Sequence, residues 1–344
     1  MGIFTHGYVQ NVTLDKNVRW KNNSMYEAFN SCTKFNSPVA INNDVTNMYG
    51  CFKNCYNFNQ YVTIPEGVTN IGCCFYDCRN FNQSVTIPNK VTDMYSCFYN
   101  AWNFNKSITI PDSVTKMGSC FENCSNFNRP ITIPSGVTNM EYCFHYASKF
   151  NQPVTIPNSV TNMTACFWLA SNFNQPITIP NSVTGMNSCF ANAINFNQPI
   201  TIPDGVLNAS GCFMGANNFN SLVNIGNGVT NAANMFVNCK KMTQNVTIGS
   251  SVNNVANMFL NCTNYNGTVR ILSKDIQNVY KMFNNRNNSK RLNIYLPSNC
   301  TTETTFRNTS SSSSVIGSAI TWTNNTSNNC FYNTVRNIYV YNTL

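Results

Sequence analysis

The chain has 344 residues, among them 64 Asn and 17 Cys, with 21 Lys+Arg against 12 Asp+Glu and a formal net charge of +9. Charged residues make up 10%, well below the roughly 25% usual for globular domains, while the hydrophobic share of 42% is ordinary. Such a chain has enough apolar surface to fold and is not a disordered polar tail, and its longest apolar runs fall far short of the ~20 residues that a membrane helix needs.

Residues 1–34 read as an N-terminal cap with a degenerate coil. Leu14 and Val18 keep one spacing of the later units and Met25, Ala28 and Phe29 another, with four residues inserted between them. From Phe35 the chain is periodic. Phe35, Phe58, Phe81, Phe104, Phe127, Phe150, Phe173, Phe196 and Phe219 fall 23 residues apart, and Met242 and Tyr265 continue the column. A second aromatic column runs from Phe29 and Phe52 to Phe236 and Phe259, and an Ile column from Ile41 to Ile294. One residue is added before Met282–Phe283, and the register recovers by Ile294. Self-similarity at such a period marks a solenoid, so the length means about a dozen coils rather than two or three ordinary domains.

Within the array, 35–296, the best-formed unit reads F-N-Q-P-I-T-I-P-N-S-V-T-N-M, then two variable residues, C-F, two more, and Ala or Cys. The I-T-I step alternates with period 2 and predicts a short strand, which a Pro such as Pro157 ends. Apolar residues then recur every three or four positions, which predicts a helical or 3₁₀ turn on the opposite side of the coil. One coil cannot bury its own apolar edge. Stacking in a parallel ladder, with strands about 4.8 Å apart, predicts a right-handed β-solenoid forming one domain with capped ends. Residues 297–344 read as degenerate C-terminal coils or a cap. Ile316 and Ile320 keep the spacing of four, Cys330–Phe331 resembles a further C-F step, Ser310–Ser314 is an inserted loop, and Ile338-Tyr339-Val340 is a last strand. A small separate domain from about residue 297 is the alternative.

The columns carry chemistry. Asn36, Asn59, Asn82, Asn105, Asn128, Asn151, Asn174, Asn197, Asn220 and Asn266 each follow the first aromatic position of their coil. Side-chain amides in a column can bond from coil to coil and satisfy corner backbone groups, a structural reading preferred over a polar binding stripe. Eight Cys form one column from Cys51 to Cys212, continued by Met235, Met258 and Met282. A second column, Cys32, Cys55, Cys78, Cys124, Cys239 and Cys262, exchanges with Ala. That exchange predicts buried free thiols, and pairs such as Cys51/Cys55 recur with no His and no four-ligand set. The only histidines are His6 and His145, and Glu66, Asp112 and Asp204 share a column but not adjacent coils. No catalytic residue, metal ligand or cofactor is therefore assigned.

Net charge is +2 over residues 1–149, −1 over 150–239 and +8 over 240–344. Lys281, Arg286, Lys290 and Arg291 belong to the C-terminal excess and read as a basic patch for an anionic partner. No stacking-aromatic motif accompanies it, so no specific nucleic acid is expected. On the outward side of the strands stand Thr63, Thr86, Thr109, Thr132, Thr155, Thr178 and Thr201. Such a neutral hydrogen-bonding face suits weak multivalent contacts with glycans or protein loops.

The unit F-N-Q-P-I, V-T-N-M, C-F or M-F, then Ala or Cys resembles the BspA-like leucine-rich repeats and the related surface-protein repeats of mollicute lipoproteins. Phe150 to Pro153, Phe173 to Pro176 and Phe196 to Pro199 carry F-N-Q-P, Thr161-Asn162-Met163 carries T-N-M, and Met235–Phe236 and Met258–Phe259 carry M-F. The resemblance covers about residues 25–296. It departs in two gaps: Phe to strand is one residue longer than in the usual 23-residue form, and Met to C-F one shorter. The resemblance implies a leucine-rich-repeat-like stack and a non-enzymatic role in adhesion or partner binding, since members are mostly surface or secreted proteins and similar arrays occur in phage tails. Met1 to His6 is not a signal peptide, and no lipobox or acylation motif appears. The expectation is therefore a virion protein made in the cytoplasm: a phage tail or fibre component that binds a host-surface glycan or protein, or other virion proteins. Homo-oligomers are compatible with that role, and membrane insertion is not expected. A purely structural virion spacer or decoration protein and a bacterial cell-surface adhesin are the alternatives.

Overall fold

The computed structural model describes residues 9, 18–298, 323–325, 330–333 and 337–342. They fall into two compact units, residues 1–175 and 176–344. In the first unit a coil can be followed from Phe58 onward. Val62 and Ile64 are buried and Thr63 is exposed, the alternation predicted for I-T-I. Pro65 then opens a turn closed by the Val68 N–H donating to the Pro65 carbonyl at 3.0 Å. Thr69 N–H reaches back to Thr46 O of the preceding coil at 2.9 Å, and Asn70 bridges in parallel to both Asn47 and Asp93. Equivalent bridges link Gly185, Asn208, Asn231, Asn254 and Asn278 in the second unit.

The far side of the coil is a run of overlapping turns. N–H groups of Met48, Gly50, Phe52 and Asn54 donate to carbonyls of the following coil (Asn70, Gly72, Cys74 and Tyr76, 2.7–2.9 Å). Those of Cys51, Lys53 and Cys55 donate three residues back, to Met48, Gly50 and Phe52, at 3.0–3.1 Å. The three-residues-back hydrogen bonds expected of a 3₁₀ turn therefore form, but alternate donors leave the coil and neither a 3₁₀ nor an α-helix results. Gly50 and Asn54 have φ of +59° and +60° at the third position of their turns, the requirement of a type II turn. Asn is among the residues that tolerate this conformation, and Asn54, Asp77, Asn100 and Asn123 recur there. The three-to-four spacing of buried Met48, Cys51, Phe52 and Cys55 thus comes from linked turns, not from one face of a helix.

The two aromatic columns interdigitate in the core. Phe52 and Phe58 lie 4.2 Å apart with rings 9° from parallel, Phe52 and Phe75 5.9 Å apart, and Phe58 and Phe81 6.0 Å apart. All are fully buried. Burial of each ring stabilises by roughly 1.5–3 kcal/mol, and each stacked pair adds about 0.5–1.5 kcal/mol. The second unit repeats the arrangement, with Phe190 and Phe196 4.3 Å apart and Phe213 and Phe219 4.7 Å apart.

A hydrogen-bonded sheet belongs to the second unit. Its strands are β1 (Ile200–Ile202), β2 (Val223–Ile225), β3 (Val246–Ile248), β4 (Val269–Ile271), β5 (Leu292–Leu296), β6 (Thr323–Asn325), β7 (Cys330–Asn333) and β8 (Ile338–Asn342), in the order β1-β2-β3-β4-β5-β8-β7-β6. Pairing is parallel from β1 through β5 to β8, and antiparallel from β8 to β7 and β6. In this ladder the Leu272 N–H donates to Ile248 O at 2.9 Å. The equivalent place holds Pro65, Pro88, Pro111, Pro134 and Pro157 in the first unit, and Pro has no N–H to give. There the in–out alternation persists without the ladder bond.

Ile338-Tyr339-Val340 lies in β8, the expected last strand. Cys330–Phe331, read as a C-F turn step, instead lies in β7. The turn run needs carbonyls on a following coil for half of its donors; this segment pairs its backbone with β8 instead. Leu14, Ser310–Ser314, Ile316 and Ile320 lie outside the described residues. Among the described residues the one helical element is a single 3₁₀ turn, Lys21–Asn23, and no helix is long and apolar enough to cross a membrane.

Candidate functional site

All seven Thr of the predicted strand face are exposed between buried neighbours. In the first unit a groove of about 410 Å³ runs along Ser84, Thr86, Ser107 and Thr109. In the second, one of about 280 Å³ runs along Thr178, Thr201, Leu222 and Asn224. Cross-strand pairing extends that column through Asn224, Thr247 and Arg270 to Tyr295. The Arg270 guanidinium lies 5.6 Å from the Tyr295 ring, which stacks on Tyr341 at 4.9 Å.

Of the four residues of the predicted basic patch, one lies inside the fold. Arg286 is 5% exposed, and its Nη1 donates to the carbonyl oxygens of Tyr265, Asn287 and Lys290 at 3.4, 3.1 and 2.6 Å. Its Nη2 donates to Asn337 O at 3.4 Å, and burial lowers its pKa to about 10. This guanidinium ties chain segments together and is not available to a partner. Lys281 Nζ lies 4.9 Å from the Tyr280 ring, Lys290 is exposed, and Arg291 packs 3.9 Å from Tyr339 while donating to Asn293 Oδ1 and the Tyr341 hydroxyl. Charge counting found the excess but not that one of its members has an internal task.

The fifteen cysteines from Cys32 to Cys262 are free and buried. Burial pushes the thiols of Cys143, Cys212 and Cys262 up to about 12. In the column that exchanges with Ala, the thiol also has a polar partner: Cys55, Cys78, Cys124, Cys239 and Cys262 donate to the carbonyl of the Phe twenty-six residues earlier, at 2.8–3.1 Å. Among the described residues no three His, Cys, Asp or Glu converge to hold a metal ion.

The Asn ladder forms. In the first unit the backbone N–H of each of Asn59, Asn82, Asn105, Asn128, Asn151 and Asn174 donates to Oδ1 of the Asn one coil earlier, at 2.8–3.0 Å. A second amide ladder stands on the other side of the buried Phe: Asn80 Nδ2 donates to Asn57 Oδ1, Asn103 to Asn80 and Asn126 to Asn103 at 3.3–3.4 Å, and Lys149 Nζ to Asn126 Oδ1 at 2.7 Å. Each N-F-N triplet alternates out, in, out. Between the two ladders runs a groove of about 540 Å³ lined by Asn59, Asn80, Asn82, Asn103, Asn105, Asn126, Asn128 and Lys149.

Positions that the repeat leaves variable hold Tyr, Trp and charged side chains of the first unit. Arg79 lies between Tyr56 (4.1 Å) and Trp102 (4.7 Å) and forks onto Asp77 at 2.9 and 3.2 Å, which raises its pKa. Tyr76 stacks on Tyr99 at 4.4 Å, and burial, then Tyr99, pushes its hydroxyl up to about 12. His145 Nδ1 is 2.9 Å from Glu122 Oε1, and its ring lies 4.7 Å from that of Trp168. Reading the repeat consensus missed these clusters because each occurs once.

No curated protein matches the chain. Among solved structures, a leucine-rich repeat protein from Bacteroides ovatus is similar with a TM-score of 0.56 and 18% identity, covering 79% of this chain and 71% of that one. A leucine rich cell surface protein from Faecalibacterium prausnitzii gives a TM-score of 0.47 and 24% identity, covering 72% and 68%. The first supports a leucine-rich-repeat-like solenoid. The family described as Mycoplasma protein of unknown function, DUF285, matches residues 9–110, 75–177, 157–249 and 203–299, and this chain belongs to it.

Proposed function

We propose that the protein is a non-enzymatic recognition and adhesion module whose exposed strand face binds a glycan or protein on a cell surface. The observation that carries this reading is the Thr column. Its hydroxyls are uncharged, exposed and fixed on a stacked core at a repeat of about 4.8 Å. Each contact is weak, and repetition along a rigid array turns weak contacts into useful avidity. The resemblance to surface repeats agrees with an exterior setting. In the finer form of the proposal that setting is a virion tail or fibre touching its host; a bacterial envelope is the other exterior that fits.

The test is binding of labelled protein to whole bacterial cells, with Thr86, Thr109 and Thr132 changed together to Glu. Adhesion to particular hosts, lost in the triple variant with the thermal midpoint unchanged, is the expected result. Co-purification with virions and no cell binding would instead make the array a spacer or decoration protein. Turnover in a carbohydrate-cleavage assay would overturn the non-enzymatic assignment.

A further inference from the structure

The amide groove of the first unit has donors that the fold does not use. In the ladder Asn59, Asn82, Asn105 and Asn128, each Oδ1 accepts the backbone N–H of the next coil. The matching Nδ2 groups donate to no protein atom among the described residues. The Asn column is thus structural through its oxygen and unspent through its nitrogen. One free amide donor per coil faces the groove region, repeating at about 4.8 Å. The second ladder forms the opposite wall, with amides already bonded lengthwise to one another.

That array selects its ligand by charge and by pitch. The lining contains one cation, Lys149, and no carboxylate. A nucleic acid strand would need cations along its phosphates, and this groove does not supply them. An extended peptide advances about 3.3 Å per residue and falls out of step with the coils by the second one. A β-linked pyranose advances by nearly the coil rise and presents hydroxyl and ring oxygens at each step. Trp102, which precedes the lining residue Asn103 in the chain, is 39% exposed, with the Arg79 guanidinium 4.7 Å from its ring. We infer that this groove binds a linear, neutral glycan lying along the coil stack, with one sugar per coil. The site is separate from the Thr face, on another edge of the same coils, and either can fail without the other.

The experiment is calorimetric titration of the whole chain with hexaoses of β-1,4-linked glucose, mannose and N-acetylglucosamine, and with oligothymidylate and an extended acidic peptide as comparisons. One hexaose is expected to bind at millimolar affinity or better, and the two comparison ligands not at all. Asn105→Asp keeps the ladder acceptor and removes the donor, so it should weaken that binding roughly tenfold or more. Asn103→Arg, on the exposed second ladder, fills the groove without touching the first and should act alike. Lys241→Gln, at an exposed position of the second unit outside both surfaces, should leave the affinity unchanged. Absence of binding by all three hexaoses, insensitivity to both Asn variants, or preference for the nucleotide or the peptide would overturn the inference. Cell adhesion lost in the Thr variants, with no hexaose bound, would remove the groove and keep the strand-face reading.

Discussion

The thiol of Cys124 donates to the carbonyl oxygen of Phe98, 2.9 Å away and one coil back. The same oxygen accepts the Ala101 N–H at 3.0 Å, so the thiol fills its second lone pair. Coils with Ala at this position, such as Ala147, leave that lone pair without a thiol and still pack. Cys124→Ala should therefore cost only about 0.5–1.5 kcal/mol. Cys124→Val adds volume to a filled core and removes the donor as well, and should cost about 1–3 kcal/mol. Denaturant midpoints of the two variants check the order.

Alkaline pH should unfold the protein through its buried thiols. An unfolded thiol ionises near 9.0, whereas burial holds Cys143, Cys212 and Cys262 at about 12. Between those values the unfolded chain releases protons that the folded chain keeps. Stability is thus complete below pH 9 and falls toward pH 12, by up to about 1.4 kcal/mol per thiol per pH unit. These three alone would remove on the order of 6 kcal/mol near pH 10.5, comparable with the whole stability of many domains. Circular dichroism across pH 8–12 should show a cooperative loss. Cys262→Ala should move the midpoint upward, and a midpoint unmoved by it would contradict thiol ionisation as the cause.

Much of this molecule was legible before its structure because each core position is written a dozen times. Phe35, Phe58 and Phe81 at a constant interval identify both the coil and its inward column. The turn side was legible only as spacing: linked turns and a helix both place apolar residues three or four apart, and the Asn column at Asn54 and Asn100 was the overlooked sign of positive φ. Single-copy features were illegible for the opposite reason. Arg286 looks like any surface cation in the sequence, and its burial depends on four carbonyls brought together by the fold. The Asn ladder was read as structural, which holds for Oδ1 and overlooks what Nδ2 leaves available.

Leu169 occupies a place where most coils have Asn or Gly, with φ of +59°. A side chain in this region crowds its own backbone at about 1–2 kcal/mol, and Gly removes that cost. Leu169→Gly should stabilise the first unit by up to about 1 kcal/mol, and Leu169→Asn by less. The residue is half-buried, so the lost apolar contact opposes the gain. Thermal midpoints that fall in both variants would show that packing outweighs backbone strain here.

Arg286 links the last regular coil to the terminal strand. Its guanidinium reaches Asn337 O, the oxygen that also accepts the Leu292 N–H at 2.9 Å where β5 meets β8. Arg286→Leu leaves carbonyls of Tyr265, Asn287 and Lys290 with one donor fewer in a largely dry setting. Replacing charged hydrogen bonds of this kind should cost roughly 2–4 kcal/mol. Lys in the same place has a single ammonium on a flexible stem and cannot span acceptors on both sides, so Arg286→Lys should recover little of the loss. The effect should be local: amides of β8 should exchange with solvent much faster in the variant, while those of Met48, Gly50 and Phe52 in the first unit keep their protection. Uniformly faster exchange would mean that the contact stabilises the whole chain instead of fastening its last strand.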